Sequence, residues 1–321
     1  MTILITGAGL VGLQAARYLV DRGESVVLYD IEPRMDNVND IVGQGRARVI
    51  RGDIQDPLGL IRAVRESGAD RIIHTVAHLP LAHGPESPYL GIQIDLMGTV
   101  NVLEVARLLG VRRVVLCSSG MVYSVREDSG TGPLDEDSSP PTFRQRPDNS
   151  YGISKFAAEL YGFHYMDYCG LDFAAVRFSI VFGPMLGLVR GGQGLRLKGF
   201  LRSALAGQTI DLKEYEPWQA GIEMVYSRDA GRSVALASLA EKMTTRVYNI
   251  SMGRTYTLGE MLDTLRKLGY EVNTRGKAEA SLPRPAVQDV ARARQELGFV
   301  ADYDLEAAFR DYLAWLKAHP E

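Results

Sequence analysis

The amino-acid sequence predicts an α/β fold in which a doubly wound parallel sheet is followed by a smaller C-terminal lobe. Two observations lead to this prediction. Through the first half of the chain, short apolar runs rich in β-branched residues alternate with longer segments of helical periodicity. These runs are apolar at nearly every position, as in strands that helices cover on both faces. After Pro184 the alternation becomes less regular, which indicates a second structural unit.

The strands and helices of the first half follow one another at short intervals. The predicted strands are Ile3–Thr6, Ser25–Tyr29, Arg48–Arg51, Arg71–Thr75, Arg113–Cys117 and Phe173–Phe178. Helical segments are predicted over Val11–Val20 and near Pro57–Glu66 and Asp95–Leu109. Because crossovers between parallel strands are right-handed, these elements form one sheet with helices on both faces.

The second half divides less clearly. Short strands are predicted near Thr209–Leu212 and Val247–Ile250, and helices near Leu258–Leu268 and Leu305–His319. We expect residues 1–180 to form the first domain, with 221–252 returning to it. Residues 181–321 would then form mainly a second lobe. Residues 127–149 are rich in Ser, Pro, Gly and Asp and are predicted to form a long loop of the kind that often serves function.

The composition narrows the class of protein. The 321 residues are 46% hydrophobic and 23% charged, which is ordinary for a globular protein. The net charge of −3 argues against a nucleic-acid partner, and no apolar run reaches the roughly 18 residues of a membrane span. Cys117 and Cys169 lack metal-ligand spacing, so no metal site is expected. Without a secretory signal, the chain is expected to be cytoplasmic.

A glycine-rich loop joins the first strand to the first helix. It consists of Gly7, Ala8, Gly9, Leu10, Val11 and Gly12. In such a loop, glycines allow a tight turn, close approach of a pyrophosphate and close helix–strand packing, while the helix N-terminus offers N–H donors. Asp30 ends the second strand, where a carboxylate binds an adenosine ribose and repels a 2′-phosphate. The loop therefore predicts a dinucleotide site that favours NAD over NADP, although Arg34 leaves NADP open.

Tyr151 and Lys155 lie one helical turn apart and so share a helix face, behind the candidate caps Asn149 and Ser150. A nearby ammonium favours a phenolate and is expected to lower the tyrosine pKa toward a useful range for acid–base chemistry. By itself the spacing also fits a solvated helix face. Ser118 and Ser119 favour the catalytic interpretation, because they end a parallel strand where ligands of such sheets bind.

With these motifs in order, the chain resembles the extended short-chain dehydrogenase/reductases, and in particular the NAD-dependent epimerase/dehydratase group that includes UDP-galactose 4-epimerase. The resemblance covers nearly the whole chain. The matching segments are Ile3-Leu-Ile-Thr-Gly7, Gly52-Asp53-Ile54, Ile72-Ile-His74, Gly98-Thr-Val-Asn101, Ser118-Ser119-Gly-Met-Val122-Tyr123, Tyr151-Gly-Ile-Ser-Lys155, Ala158-Glu159, Arg177 with Gly183-Pro184, and Ala293-Arg-Gln-Glu-Leu-Gly298.

The resemblance implies a role for each matching residue. It makes Tyr151 the acid–base group, gives Lys155 the nicotinamide ribose, and assigns Ser119 to the reacting oxygen of the substrate. Further cofactor contacts are implied at Asp53, Ile54, Val76, Ala77 and Ser118. The substrate would lie near Ser119, Gly120, Met121 and Ile180. Apart from the resemblance, His78 and His83 follow the fourth strand on the ligand side of the sheet, and the guanidinium groups of Arg190 and Arg284 suit an anionic substrate group; a structural histidine and a solvated arginine are the alternatives. The resemblance also implies a homodimer, formed by the helices that contain Asn101–Leu109 and Tyr151–Tyr168.

Several positions depart from the family pattern. The glycine loop is one residue shorter than usual, and Asp95 stands where the family often has Asn. Ile180 or its neighbour Val181 replaces an expected Asn, and Ile222 replaces an expected Arg, so two diphosphate contacts are apolar. Gly120 and Met121 replace the Asp-Glu pair of dehydratases, which argues against water elimination.

The resemblance therefore implies an NAD-dependent oxidoreductase or epimerase that transfers a hydride at a secondary alcohol or ketone of a sugar or sugar-like substrate. The apolar departures favour instead a dehydrogenase or reductase of a small non-nucleotide hydroxy or keto compound, and both remain open. A third alternative, of another class, is a non-catalytic NAD-binding regulatory protein. It is disfavoured because Tyr151 and Lys155 are both present.

Overall fold

The computed structural model describes residues 1–79, 87–123, 133–138, 147, 149–185, 192–277 and 286–320. Arg190, His83, Arg284 and most of the predicted loop 127–149 lie outside these ranges. In the described part, the strands are β1 (Thr2–Thr6), β2 (Ser25–Asp30), β3 (Arg48–Arg51), β4 (Arg71–His74), β5 (Arg113–Ser119), β6 (Asp172–Phe178), β7 (Ile180–Phe182), β8 (Ile210–Asp211), β9 (Ile222–Tyr226), β10 (Val247–Ile250), β11 (Thr255–Tyr256) and β12 (Thr274–Arg275).

The helices pack between and around these strands. They are α1 (Leu10–Val20), α2 (Met35–Ile41), α3 (Pro57–Ser67), α4 (Pro88–Gly91), α5 (Gly98–Leu109), α6 (Ser150–Cys169), α7 (Gly192–Leu205), α8 (Ser227–Leu239), α9 (Leu258–Lys267), α10 (Ala291–Leu297) and α11 (Leu305–Ala318). A π-helical turn, Ile92–Met97, joins α4 to α5.

The main sheet has the strand order β10-β6-β5-β4-β1-β2-β3, and neighbouring strands in it pair in parallel. The chain order reverses between β1 and β4, which makes the carboxyl ends of these two strands the topological switch point of the sheet. The prediction of a doubly wound parallel sheet is confirmed.

The apolar runs in the sequence predicted where the strands of the main sheet lie, and the observed strands differ from the predicted ones at a few ends. The fifth strand continues through Ser118 to Ser119, beyond the predicted end at Cys117. The predicted strand Val247–Ile250 has the expected bounds, and it lies in the main sheet beside β6, with Val247 opposite Ala175. Its polar Asn249 is fully buried there, so the hydropathy pattern of this strand was ambiguous.

Apolar clusters cover both faces of the main sheet. On one face Ile3, Ile5 and Val115 pack with α1 and α8, and on the other Leu4, Val114 and Leu116 pack with α3, α5 and α6. The contact between α1 and α8 depends on Gly231, because a Cβ on it would lie 2.5 Å from the Ala15 nitrogen. Two-sided burial explains why these strands read as nearly continuous apolar runs.

Apart from the two faces of the main sheet, the chain has a second core, called here the second apolar cluster. It joins Phe182, Phe200, Trp218, Tyr226 and Phe309, all less than 2% exposed. A three-stranded sheet, β11-β9-β7, lies at its edge, with β9 parallel to β7 and antiparallel to β11. Trp218 and Tyr226 are therefore core residues.

Local signals explain several helix ends. Asp56 caps α3 by accepting a hydrogen bond from the Leu58 nitrogen at 3.1 Å, and Gly68 ends the helix at φ +63°. Asn149 caps α6 by accepting from the Gly152 nitrogen at 2.8 Å, as predicted. Across the described ranges, no helix is both long and apolar enough to cross a membrane.

Candidate active site

The glycine loop lies at the switch point of the sheet, directly after β1. Gly7 has a φ of +97°, and a Cβ on Gly12 would lie only 2.0 Å from the Gly7 carbonyl oxygen. A Cβ on Gly9, by contrast, would meet nothing within 4 Å. Gly7 and Gly12 thus serve the protein's own packing, whereas Gly9 leaves its outer side open for close approach by a ligand.

The N-terminus of α1 offers a phosphate-binding surface. Gly9 is the N-cap and provides no side-chain hydrogen bond, so the first N–H groups of the helix, those of Leu10 and Val11 among them, have no side-chain cap. Both residues are partly exposed. Unpaired N–H groups and the positive end of the helix dipole favour an anionic group here.

Asp30 lies beside this loop, at the end of β2. Its carboxylate accepts hydrogen bonds from the Ala8 nitrogen at 2.7 Å and the Glu32 nitrogen at 2.8 Å. These two bonds hold the carboxylate next to the glycine loop. Each carboxylate oxygen has further acceptor capacity, so a ribose hydroxyl can still be bound.

The other predicted cofactor residues follow β3 and β4. The Ile54 side chain is buried in the core, where its Cγ2 would lie 3.0 Å from a Cβ on Gly98, so only its backbone is available to a ligand. Asp53 is partly exposed. Val76 and Ala77 follow β4 on the same edge as the glycine loop, and Ala77 is exposed.

Tyr151, Ser119 and Lys155 come together at the carboxyl end of β5. Ser119 forms a side-chain hydrogen bond with Tyr151, and its Oγ also accepts from the Met121 nitrogen at 3.1 Å. The close packing of α6 on this turn fixes the pair, because a Cβ on Gly152 would lie 2.4 Å from the Met121 carbonyl oxygen. The Lys155 Nζ lies 5.7 Å from the centroid of the Tyr151 ring.

Lys155 is fully buried, and its Nζ has no hydrogen-bond partner among the residues the structure describes. Asp95 is also fully buried. Its Oδ1 accepts from the His78 nitrogen at 2.7 Å, while its Oδ2 likewise lacks a partner in the described part of the chain. Buried charges without partners are costly, and such atoms in a cleft indicate a ligand. Asp95 lies in the π-helical turn, a conformation frequent at functional sites.

The pKa of Tyr151 is raised, which is opposite to the direction expected from the sequence. Burial is the largest cause, and the negative charge of Asp95 adds to it, while the hydrogen bond from Ser119 lowers the pKa in part. The expectation was wrong because the spacing of Tyr151 and Lys155 does not reveal how deeply the phenol is buried.

Buried His74 connects several elements at the edge of the sheet where the predicted cofactor residues lie. The Thr99 hydroxyl donates to the Asp95 carbonyl oxygen at 2.6 Å, so it accepts from His74 Nε2 at 3.1 Å. Nδ1 of His74 in turn accepts from the Thr6 hydroxyl at 2.6 Å. Burial, and then repulsion by Lys155, lower the pKa of His74 to about 3, so the ring is neutral. This chain of hydrogen bonds links β1, β4 and α5.

A second polar network begins at Ser118, the residue before Ser119. The Ser118 hydroxyl donates to Glu159, and Arg177 forms an ion pair with the same carboxylate at 2.6 Å. Arg177 also donates to the Tyr123 hydroxyl and to the Glu136 carbonyl oxygen, both at 3.0 Å. The Ser118 side chain is therefore engaged inside the protein. Glu159 and Arg177 were noted only as family matches in the sequence, and no local signal indicated that they pair.

The predicted substrate residues are partly assembled. Gly120 and Met121 form a short 3₁₀ turn directly after Ser119, and Met121 is exposed. His78 is partly exposed and bonded through its backbone to Asp95. Ile180 and Ile222 are partly buried against the second apolar cluster. Arg190 lies outside the described residues. Within the described ranges, no group of acidic, histidine or cysteine side chains could hold a metal.

Comparison with known proteins decides the family. Residues 3–251 match the sequence profile of the NAD dependent epimerase/dehydratase family. The chain belongs to this family. The resemblance seen in the sequence is thereby confirmed, as are the predictions of an enzyme and of NAD as its cofactor.

Individual relatives extend over the whole chain at low identity. A UDP-glucuronate 4-epimerase of Thermodesulfobacterium geofontis is 22% identical, over 99% of this chain and 97% of its own length. A UDP-glucose 4-epimerase of Lacticaseibacillus casei is 27% identical, over 100% and 98%. The crystal structure of UDP-glucose 4-epimerase with UDP-glucose from Thermotoga maritima superposes with a TM-score of 0.83, at 23% identity and 100% coverage of both chains.

The residues present fit NAD. The open side of Gly9 and the uncapped N-terminus of α1 suit the pyrophosphate, and the Asp30 carboxylate suits a ribose hydroxyl. The Lys155 Nζ on α6, which has no hydrogen-bond partner among the described residues, is a buried donor. The N–H donors for the phosphates thus follow β1, and the donor for a ribose hydroxyl lies on α6.

Proposed function

We propose that this enzyme exchanges a hydride between NAD and a secondary alcohol of a sugar nucleotide, with Tyr151 as the acid–base group. The observation that supports the proposal most directly is the hydrogen-bonded pair of Tyr151 and Ser119 beside the buried Lys155. The names of the similar proteins, UDP-glucose and UDP-glucuronate 4-epimerases, support a uridine diphosphate sugar as substrate.

The chemistry divides between the chain and its cofactor. Bound NAD supplies the hydride acceptor for alcohol oxidation and the hydride donor for ketone reduction. The Ser119 hydroxyl is held by the hydrogen bond that its Oγ accepts from the Met121 nitrogen, and on substrate binding its proton would be donated to the reacting oxygen instead of to Tyr151. Deprotonated Tyr151 takes the hydroxyl proton as the alcohol is oxidised and returns it when the ketone is reduced. Reduction on the opposite face of the ketone gives the epimer.

Lys155 is proposed to favour the phenolate form of Tyr151. Burial and Asp95 oppose that form, so a cation in the same pocket is needed to make the tyrosine a base near neutral pH. In addition, Lys155 would donate to a ribose hydroxyl of the cofactor, which gives its buried Nζ the partner it otherwise lacks.

The experiment is to incubate the NAD-loaded protein with UDP-glucose, UDP-galactose and UDP-glucuronate and to separate the epimers by chromatography. Tyr151→Phe is the matched variant, since it removes only the titrating oxygen. We expect conversion by the wild type and at least a thousandfold slower conversion by the variant. Equal inertness of both proteins, with NAD still bound, would refute the proposal and favour a non-catalytic NAD-binding role.

A second candidate is a dehydrogenase of a small non-nucleotide hydroxy compound. The specific observation that favours it is the apolar character of Ile180 and Ile222, which pack against the second core and offer no donors to a diphosphate. Absorbance at 340 nm separates the two candidates. Net accumulation of NADH with hydroxy acids, and none of epimer with UDP-sugars, would select the dehydrogenase.

We further propose a cytoplasmic homodimer. Apolar side chains are exposed on α5 and α6, which pack side by side on one face of the sheet. They are Leu108, Ile153, Leu160, Tyr161 and Tyr168. An exposed apolar patch of this kind on two adjacent helices suits an interface with a second copy of the chain.

The proposed division of labour follows the two parts of the chain. Residues 1–180, with 221–252, would bind the cofactor, and the remainder of 181–321 would bind the substrate. The apolar clusters support this division in part. Two of them line the main sheet and the third joins α7, α9 and α11, but β9, within 221–252, contributes Met224 and Tyr226 to the third cluster.

A further inference from the structure

Gln288 extends across the carboxyl edge of the main sheet, on the side away from the glycine loop. Its segment is anchored by an isolated bridge to Leu134. The side-chain Nε2 donates to Asn249 Oδ1 at 3.1 Å, near the end of β10, and lies 3.5 Å from the Arg177 carbonyl oxygen on β6. A Cβ on Gly120 would lie 3.1 Å from the same Nε2. The amide therefore reaches the ends of three neighbouring strands.

The network around Gln288 fixes which way its amide points. Asn249 Nδ2 donates to the Leu134 carbonyl oxygen at 2.9 Å, so Asn249 Oδ1 is an acceptor. The Tyr123 hydroxyl also donates to this Oδ1, at 2.7 Å. Gln288 must therefore present its Nε2 to Asn249. Its backbone nitrogen is held as well, because it donates to Glu223 at 3.1 Å.

The remaining atom of that amide is Oε1. Gln288 is 4% exposed, and its Oε1 is buried without a hydrogen bond among the described residues. A buried acceptor that loses its water and gains no partner destabilises the protein, so a ligand that bonds to it removes that cost. The side-chain Nε2 and the backbone nitrogen of Gln288 are both bonded, so the unsatisfied side-chain acceptor is the one atom whose direction the network has fixed.

Gln288 lies beside the catalytic pair. It contacts Gly120, which directly follows Ser119, and Ser119 is bonded to Tyr151. Because Gly120 has no side chain, the Gln288 amide lies directly against the turn after Ser119. Ligands of open α/β sheets bind beyond the carboxyl ends of the strands, which is where this amide lies.

We propose that Gln288 is a substrate-binding residue whose Oε1 accepts a hydrogen bond from a ring hydroxyl of the sugar, on the side of the ring that faces Ser119. The inference rests on the proposed function, since it assumes a sugar nucleotide in the site. It adds a contact that selects among sugars, because a ligand without that hydroxyl leaves the buried oxygen unsatisfied.

The test compares Gln288→Leu and Gln288→Met with the wild type, using UDP-glucose as the probe. We expect KM for UDP-glucose, and its Kd by calorimetry on the NAD-loaded protein, to rise about three- to tenfold. The kcat value should change less than twofold, and NAD affinity should not change. Gln288→Met retains the length of the side chain, so it serves if the leucine variant folds poorly. An unchanged Kd in a folded variant would overturn the inference.

UDP-sugars that each lack one ring hydroxyl identify the bonded group. One of them should bind the wild type and Gln288→Met equally well, because neither complex then contains the hydrogen bond. If every deoxy sugar still distinguishes the two proteins, the effect is structural and the inference is wrong. If the wild type binds no UDP-sugar at all, the proposed function itself has failed, and this outcome is seen before any variant is measured.

Discussion

Removal of the Lys155 ammonium is expected to stabilise the ligand-free protein while it abolishes activity. Lys155 is fully buried, and its Nζ lacks a hydrogen-bond partner in the described structure. An ion buried in this way costs several kcal/mol, even after relaxation. Lys155→Met retains the length and apolar stem of the side chain and removes only the charge and its donors.

The expected magnitude is the difference between this cost and the attractions that offset it. The Tyr151 ring, 5.7 Å from Nζ, contributes about 1–2 kcal/mol as a cation–π partner, and the Asp95 carboxylate attracts the same charge. We therefore expect a net gain of about 2 kcal/mol. With an unfolding entropy of about 0.7 kcal/mol/K for a chain of 321 residues, Tm should rise by about 3 °C.

The assay is thermal unfolding of protein freed of NAD, with and without added NAD. The wild type should gain stability from NAD, and Lys155→Met should gain little because the ribose donor is gone. Arg177→Met is the matched control, because Arg177 is a buried cation that does have partners, Glu159 and Tyr123. Its loss should cost about 3–5 kcal/mol. A fall of Tm in ligand-free Lys155→Met would refute the reasoning.

Three other changes test separate parts of the structure. Gly9→Ala should have the same Tm as the wild type but bind NAD at least tenfold more weakly, as measured by calorimetry. Gly12→Ala, whose Cβ would lie 2.0 Å from the Gly7 carbonyl oxygen, should instead lower Tm by several degrees in thermal unfolding. Equal NAD affinity of Gly9→Ala and the wild type would contradict the assignment of the loop to the cofactor. Burial raises the pKa of Glu223 to about 7 from 4.5, so its contribution to stability is fully present below pH 4.5 and is lost as pH rises through 7. Denaturant titrations at several pH values should show that the free energy of unfolding falls by about 3 kcal/mol over this range in the wild type and not in Glu223→Gln. Parallel pH profiles of the two proteins would refute the assignment to Glu223. Leu160→Glu places a charge on the exposed face of α6 and should convert the proposed dimer to a monomer in light scattering; a monomeric wild type would remove the interface.

The fold could be predicted because its determinants are local and repeated. Each strand of the main sheet is buried on both faces, so apolar runs such as Arg71–His74 stand out, and loop glycines separate them from the helices. The strand β10 has the predicted bounds, but Asn249 interrupts its apolar pattern, and its buried amide is explained only by tertiary hydrogen bonds with Tyr123, Gln288 and Leu134.

The site was predictable only as far as it is local in sequence. The glycine loop and the pair of Tyr151 and Lys155 are each set by spacing within one turn or helix. The contact of Gln288 with Gly120 joins residues far apart in the chain, and no spacing rule relates them. The pKa of Tyr151 was predicted in the wrong direction for a related reason, since burial depends on the whole tertiary structure.

The position of β10 at the edge of the main sheet affects how this protein is made. During synthesis, β6 emerges from the ribosome long before Val247 does, and in the interval its outer backbone groups are without their partner strand. An apolar open edge of this kind is a template for wrong pairing between nascent chains. The residues made in between, which build the second core, must therefore fold or be shielded while the sheet is still incomplete. Overproduction at low temperature or with added chaperones should accordingly improve the yield of folded protein.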